Sequence, residues 1–158
     1  MAGLIQPEID SLLERTSRSF FITLRVLPSK IRGQVGLLYL LARVADTIAD
    51  SKQGETGLLL QTLQQYNERV QGQSESLPKF DDLADIQEND SEAELLRNVS
   101  SVVACLEKFP EGDRVRIRKC LDIIVSGQSL DLERFGIANE GGGVSSFQHE
   151  DELDDYAY

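Results

Sequence analysis

Tryptophan is absent from this 158-residue chain, methionine and histidine occur once each, and cysteine occurs twice. The lone His149 lies in a polar stretch, so no histidine/cysteine ligand spacing for a metal exists. Cys105 and Cys120 fall in separate apolar-patterned segments, and no secretory signal precedes them. They read as small buried hydrophobes in a reducing compartment rather than as a disulfide. Long hydrophobic runs are lacking too. The longest, Val35–Ala42, falls far short of the roughly 18–20 residues of a membrane span. The N-terminus has none of the basic-then-apolar pattern of a signal peptide. The expected location is therefore cytoplasmic. Strand signals are nearly absent, since no alternating runs are bounded by hairpin turns.

Charge is abundant but lopsided. The net value is −11. Residues 1–50 carry six Lys/Arg and five Asp/Glu, a net of +1, and the remainder carries ten and 22, a net of −12. Seven acids lie in Asp81–Glu94 and five in Glu150–Asp155, which read as solvated faces. This balance excludes nucleic acid as a partner, because phosphates would be repelled. A small anionic ligand is not excluded, since the basic part has its own arginines and a bound metal would invert the local charge.

Helical periodicity dominates, and one all-α domain with a real core is predicted over residues 1–158. Helices are expected over Pro7 to about Arg15, Ser17–Val26, a long segment opened by Pro28, and Leu58–Val70. Gly54 and Gly57 mark a turn. Residues 71–90 read as a polar loop with one helical turn near Leu83. Ser91-Glu92-Ala93-Glu94 has the form of a capping box for a helix reaching about Lys108. Pro110 and Gly112 break it, and Asp113 caps a further helix running to about Gly127 or beyond. Gly141–Gly143 marks a flexible turn, and Glu150 starts a last helix that stops mid-pattern at Tyr158.

The most informative segment runs from Pro28 to Ser51. It is apolar on most sides, with Leu37, Leu38, Leu40, Leu41, Val44, Ala45 and Ile48. Arg32, Tyr39, Arg43, Asp46 and Asp50 follow one another at steps of seven, four, three and four, which keeps them on one helix face. Charges carried by a buried helix must be paired or bound to metal. Two carboxylates one turn apart, about 6 Å along the axis, suit a hard cation such as Mg²⁺. The same spacing also fits a structural Arg43–Asp46 ion pair with Asp50 in solvent. Thr16–Phe20 gathers hydroxyls and a guanidinium that could receive phosphate oxygens, although Ser17 and Ser19 also suit a helix cap. Asp131 suits either a site or a helix end, and Tyr39 either a site or the core.

Taken in order, five motifs resemble the squalene/phytoene synthase family. They are Ser-Arg-Ser-Phe at 17–20, Leu-Pro-x-x-x-Arg at 27–32, Tyr-x-x-x-Arg-x-x-Asp-x-x-x-Asp at 39–50, Gly-x-x-x-Asp at 127–131 and Tyr-x-Tyr at 156–158. The resemblance implies part of an all-α isoprenoid-synthase fold, incomplete at the C-terminus, that condenses two prenyl diphosphates head to head. It implies that Asp46 and Asp50 hold Mg²⁺ and that Ser17, Arg18, Ser19 and Arg43 contact diphosphate. Phe20 would pack on a prenyl chain, and Tyr39, Asp131 and Tyr156 would be catalytic positions. The form Asp-Thr-x-x-Asp resembles squalene synthases, which convert farnesyl diphosphate through presqualene diphosphate and need NADPH. Phytoene or dehydrosqualene formation is the nearest alternative, and a non-catalytic assembly protein on the same fold is another. The family's second aspartate-rich motif is not present by Tyr158. The 158 residues are accordingly expected to be inactive alone, with a complementing C-terminal half as partner. Oily substrates make peripheral membrane contact an open expectation.

Overall fold

The computed structural model describes residues 7–51 and 56–140. Gly54, Gly141–Gly143, the helix expected from Glu150, and Tyr156 and Tyr158 lie outside them. Every regular element among the described residues is helical: α1 (Pro7–Thr16), α2 (Arg18–Leu24), α3 (Ser29–Ala49), α4 (Thr56–Val70), α5 (Asp81–Asp85), α6 (Asp90–Arg97), α7 (Val99–Ala104), a 3₁₀ turn (Cys105–Lys108) and α8 (Glu111–Glu140).

The spine is α3, with Leu37, Leu40, Leu41, Val44, Ala45 and Ile48 all fully buried. It packs on α4, α6, α7 and α8, with α2 across its first half. Two long-range hydrogen bonds fix its direction against α8. Gln34 near its start donates to Asp113 at 3.0 Å, and Asp46 near its end meets Gln128. The two helices therefore run parallel. Helix α4 runs antiparallel to α8, because Asn67 donates to Asp122 (2.9 Å) while Gln71 reaches back to the Arg118 carbonyl (2.7 Å). The fully buried Tyr66 donates its hydroxyl to the Leu41 carbonyl at 2.8 Å and locks α4 onto α3.

Several expected boundaries shift for identifiable reasons. Asn89, not Ser91, caps α6, accepting from the Ser91 and Glu92 amides. The Ser91 hydroxyl instead donates to the Arg15 carbonyl and ties α6 to the end of α1. The helix expected to reach Lys108 breaks at Asn98, whose side chain donates back to the Glu94 carbonyl. Gly57, read as part of a turn, lies in the first turn of α4, while α8 runs beyond Gly127 to Glu140 as the sequence allowed. Asp113 lies inside the first turn of α8 rather than capping it. Cys105 is buried as expected, but Cys120 is exposed.

Candidate functional site

The site is built on one face of α3. Tyr39, Arg43 and Asp46 recur at i, i+4 and i+7, and Asp50 follows at the C-cap. Arg32 leaves this stripe, contrary to the sequence reading. Its guanidinium turns to the Leu27 and Arg25 carbonyls and closes the end of α2.

At one end of the stripe the Phe20 ring of α2 stacks on Tyr39, with centroids 4.0 Å apart and planes 16° from parallel. Both rings are half-buried. Ser17 orients this helix by accepting from the Phe20 amide at 3.3 Å, and Arg18 and Ser19 beside it are exposed.

At the other end, about 10 Å along the axis from Tyr39, charges from three helices converge. Arg43 pairs with Glu92 of α6 at 2.5 Å. Gln128 of α8 donates its side-chain amide to Asp46. Burial pushes the Asp46 carboxyl above the usual carboxylate range. Asp50 and Glu92 push it the same way, while Arg43 and the Gln128 amide oppose them. Partial desolvation and the Glu92 charge also raise Asp50, which lies at the exposed helix end, against the pull of Arg43. Three carboxylates thus share one guanidinium and one amide. A wider network stands where the alternative reading had a simple Arg43–Asp46 ion pair.

Two buried polar atoms in this network have no partner, Arg43 Nε and Gln128 Oε1. One is a donor and the other an acceptor, and an unmade bond at such an atom costs about 1–3 kcal/mol. A ligand that offers both oxygens and a cation or its water would satisfy both. Among the described residues no cluster of three or more His, Cys, Asp or Glu is placed to hold a metal. The two aspartates still fit Mg²⁺, which takes one or two carboxylates and completes its shell with water and substrate phosphate.

Glu92 and Gln128 were not foreseen. Glu92 lies in the acidic run that read as a solvated face. Gln128 did leave a signal: among the described side chains of α8, Ile117, Leu121, Val125, Gln128 and Leu132 are buried, and of these only Gln128 is polar. Asp131 lies three residues further along α8, half-buried and on the same flank. Tyr156 lies outside the described residues.

The role of Gln128 is testable. Gln128→Leu removes a neighbour that orients Asp46 while keeping the volume. Its expected effect is a 10–100-fold loss of Mg²⁺ affinity, the usual range for outer-shell partners, with little change in thermal melting. Calorimetric titration checks the first and circular dichroism the second.

A family model described as squalene/phytoene synthase matches residues 13–158. No curated protein and no solved structure matches the chain. Among the described residues, no helix is long and apolar enough to cross a membrane.

Proposed function

The chain belongs to the squalene/phytoene synthase family, and from that premise we propose that the α3 stripe binds an allylic prenyl diphosphate for head-to-head condensation. Members of the family are prenyltransferases that act on prenyl diphosphates. The observation that supports the assignment is the polarity of the stripe. Stacked rings lie at one end, and a cationic and carboxylate cluster with two unsatisfied atoms lies at the other. A prenyl diphosphate has the same polarity, an oily chain joined to a multiply charged anionic head.

In this reading Asp46 and Asp50 hold Mg²⁺, which when bound supplies stabilisation of the departing diphosphate. Arg43 donates Nε to a diphosphate oxygen while Glu92 holds its other arm. Gln128 fixes the Asp46 carboxylate. Arg18 and Ser19 are exposed at the start of α2 and can swing to the same head group, with Ser17, which caps that helix, beside them. Phe20 and Tyr39 line the chain-binding end, exclude water and face developing positive charge with their π-systems. Asp131 and Tyr156 complete the proposed catalytic set. The Asp-Thr-x-x-Asp form favours farnesyl diphosphate as substrate and squalene as product, with NADPH as reductant.

Binding of farnesyl thiodiphosphate, a slow-reacting analogue, tests this directly. The expected result is saturable binding with Mg²⁺ and at least about tenfold weaker binding with EDTA. Binding that ignores Mg²⁺, or no binding, would instead favour a non-catalytic assembly role.

A further inference from the structure

We propose that the corner joining α2 to α3 docks on an anionic lipid surface. Between Glu14 and Asp46 the chain has no acidic residue and six Lys/Arg, although its net charge is −11. Within the same stretch Ile22, Val26 and Ile31 are 51%, 81% and 43% exposed. Single exposed aliphatics are ordinary. Three within ten residues, set among cations on an acidic protein, are not.

The corner is a built feature. Ile22, Arg25 and Val26 are at i, i+3 and i+4, so they share a face. Successive tight bonds follow, from the amides of Arg25, Val26 and Leu27 to the carbonyls three residues earlier, each 3.1 Å. Arg32 then clamps the Leu27 and Arg25 carbonyls at 2.6 and 2.8 Å. Arg25 lies over the Phe21 ring at 5.2 Å. The corner therefore holds its shape while presenting aliphatic tips. Not every cation is available to a partner, since Arg15 and Arg43 are paired with Glu94 and Glu92. Arg18, Arg25 and Lys30 are exposed around the tips.

Charge complementarity selects the partner. Apolar tips ringed by cations suit the boundary between headgroups and acyl chains of an anionic bilayer. Residues 51–158, with a net of −12, would be repelled and would turn the molecule corner-first. A symmetric contact with a second copy would set like charges against each other. Helix α2 also carries Phe20, whose ring stacks on Tyr39, so the docked corner would adjoin the proposed chain-binding rings. Vesicle binding itself requires no substrate, so the inference can fail independently of the proposed function.

The absence of tryptophan supplies the probe. Val26→Trp at an exposed position introduces the only indole in the chain. Phosphatidylcholine vesicles containing phosphatidylglycerol should shift its emission to the blue and permit quenching by brominated acyl chains. Pure phosphatidylcholine should do neither. In the otherwise native chain, Arg25→Ser with Lys30→Ser should weaken vesicle co-sedimentation more than about tenfold and lower thermal melting only slightly, through the lost Arg25–Phe21 contact. Emission that stays water-like on anionic vesicles, or co-sedimentation insensitive to the two substitutions, overturns the proposal. So does a dimeric mass in sedimentation velocity that is lost with Val26→Glu, which would assign the corner to a second copy.

Discussion

Asp46→Asn should abolish Mg²⁺-dependent binding of farnesyl thiodiphosphate and yet raise the melting temperature of the ligand-free protein. The loss follows from removing the charge proposed to hold the metal. The gain follows from linkage. Burial, Asp50 and Glu92 together raise the Asp46 carboxyl above its ordinary value. A group whose folded-state pKa is raised stabilises the fold fully below the unfolded-state pKa, and that contribution is lost as pH rises through the folded value. At neutral pH the ionised Asp46 therefore works against folding. Asparagine removes that charge, and its amide can donate to the orphaned Gln128 Oε1. The stability of the native chain should accordingly fall as pH rises from acid through the raised Asp46 and Asp50 range, and Asp46→Asn should flatten the slope. Thermal melts across pH check this. A variant less stable than the native chain at neutral pH would contradict the account of a site held against its own repulsion.

Leu41→Ala should destabilise the protein by about 2–5 kcal/mol, the range for a fully buried leucine truncated in a packed core. Leu41 is completely buried on α3. Its carbonyl also receives the Tyr66 hydroxyl, so the surrounding backbone is pinned and cannot collapse freely into the cavity. Against a typical total of about 5–15 kcal/mol, that loss is large. Leu58→Ala provides the control, since Leu58 is 58% exposed and should cost no more than about 0.5 kcal/mol. Urea unfolding of the three proteins gives both numbers. A loss below about 1 kcal/mol at Leu41 would mean that α3 is not the spine of the core.

Local chemistry made much of this fold legible. Pro28 before an apolar run marked the start of α3, and the turn near Leu83 appeared as α5. The break at Asn98 was hidden because the buried positions Leu95, Leu96, Val99, Val102, Val103 and Leu106 keep helical spacing across it. Gly127 left the end of α8 open in the sequence because glycine is a poor helix former, and α8 continues through it to Glu140. The α3 stripe was legible because one helix carries it. Its partners were not. Glu92 reaches Arg43 from 49 residues away and Gln128 reaches Asp46 from 82, and no local pattern encodes such pairings. The apolar stripe around Gln128 was the available clue, and it pointed to burial without naming the partner.

The proposed cation-dependent diphosphate site lies where α3 meets α6 and α8. Backbone amide resonances of the protein, recorded with inorganic diphosphate and a trace of paramagnetic Mn²⁺, test it most directly. Line broadening should centre on Arg43, Asp46 and Asp50, extend to Glu92 and Gln128, and disappear with excess Mg²⁺. Broadening spread instead over the acidic stretch around Asp81, Asp82, Asp85 and Glu88, with Asp46 and Gln128 untouched, would contradict it.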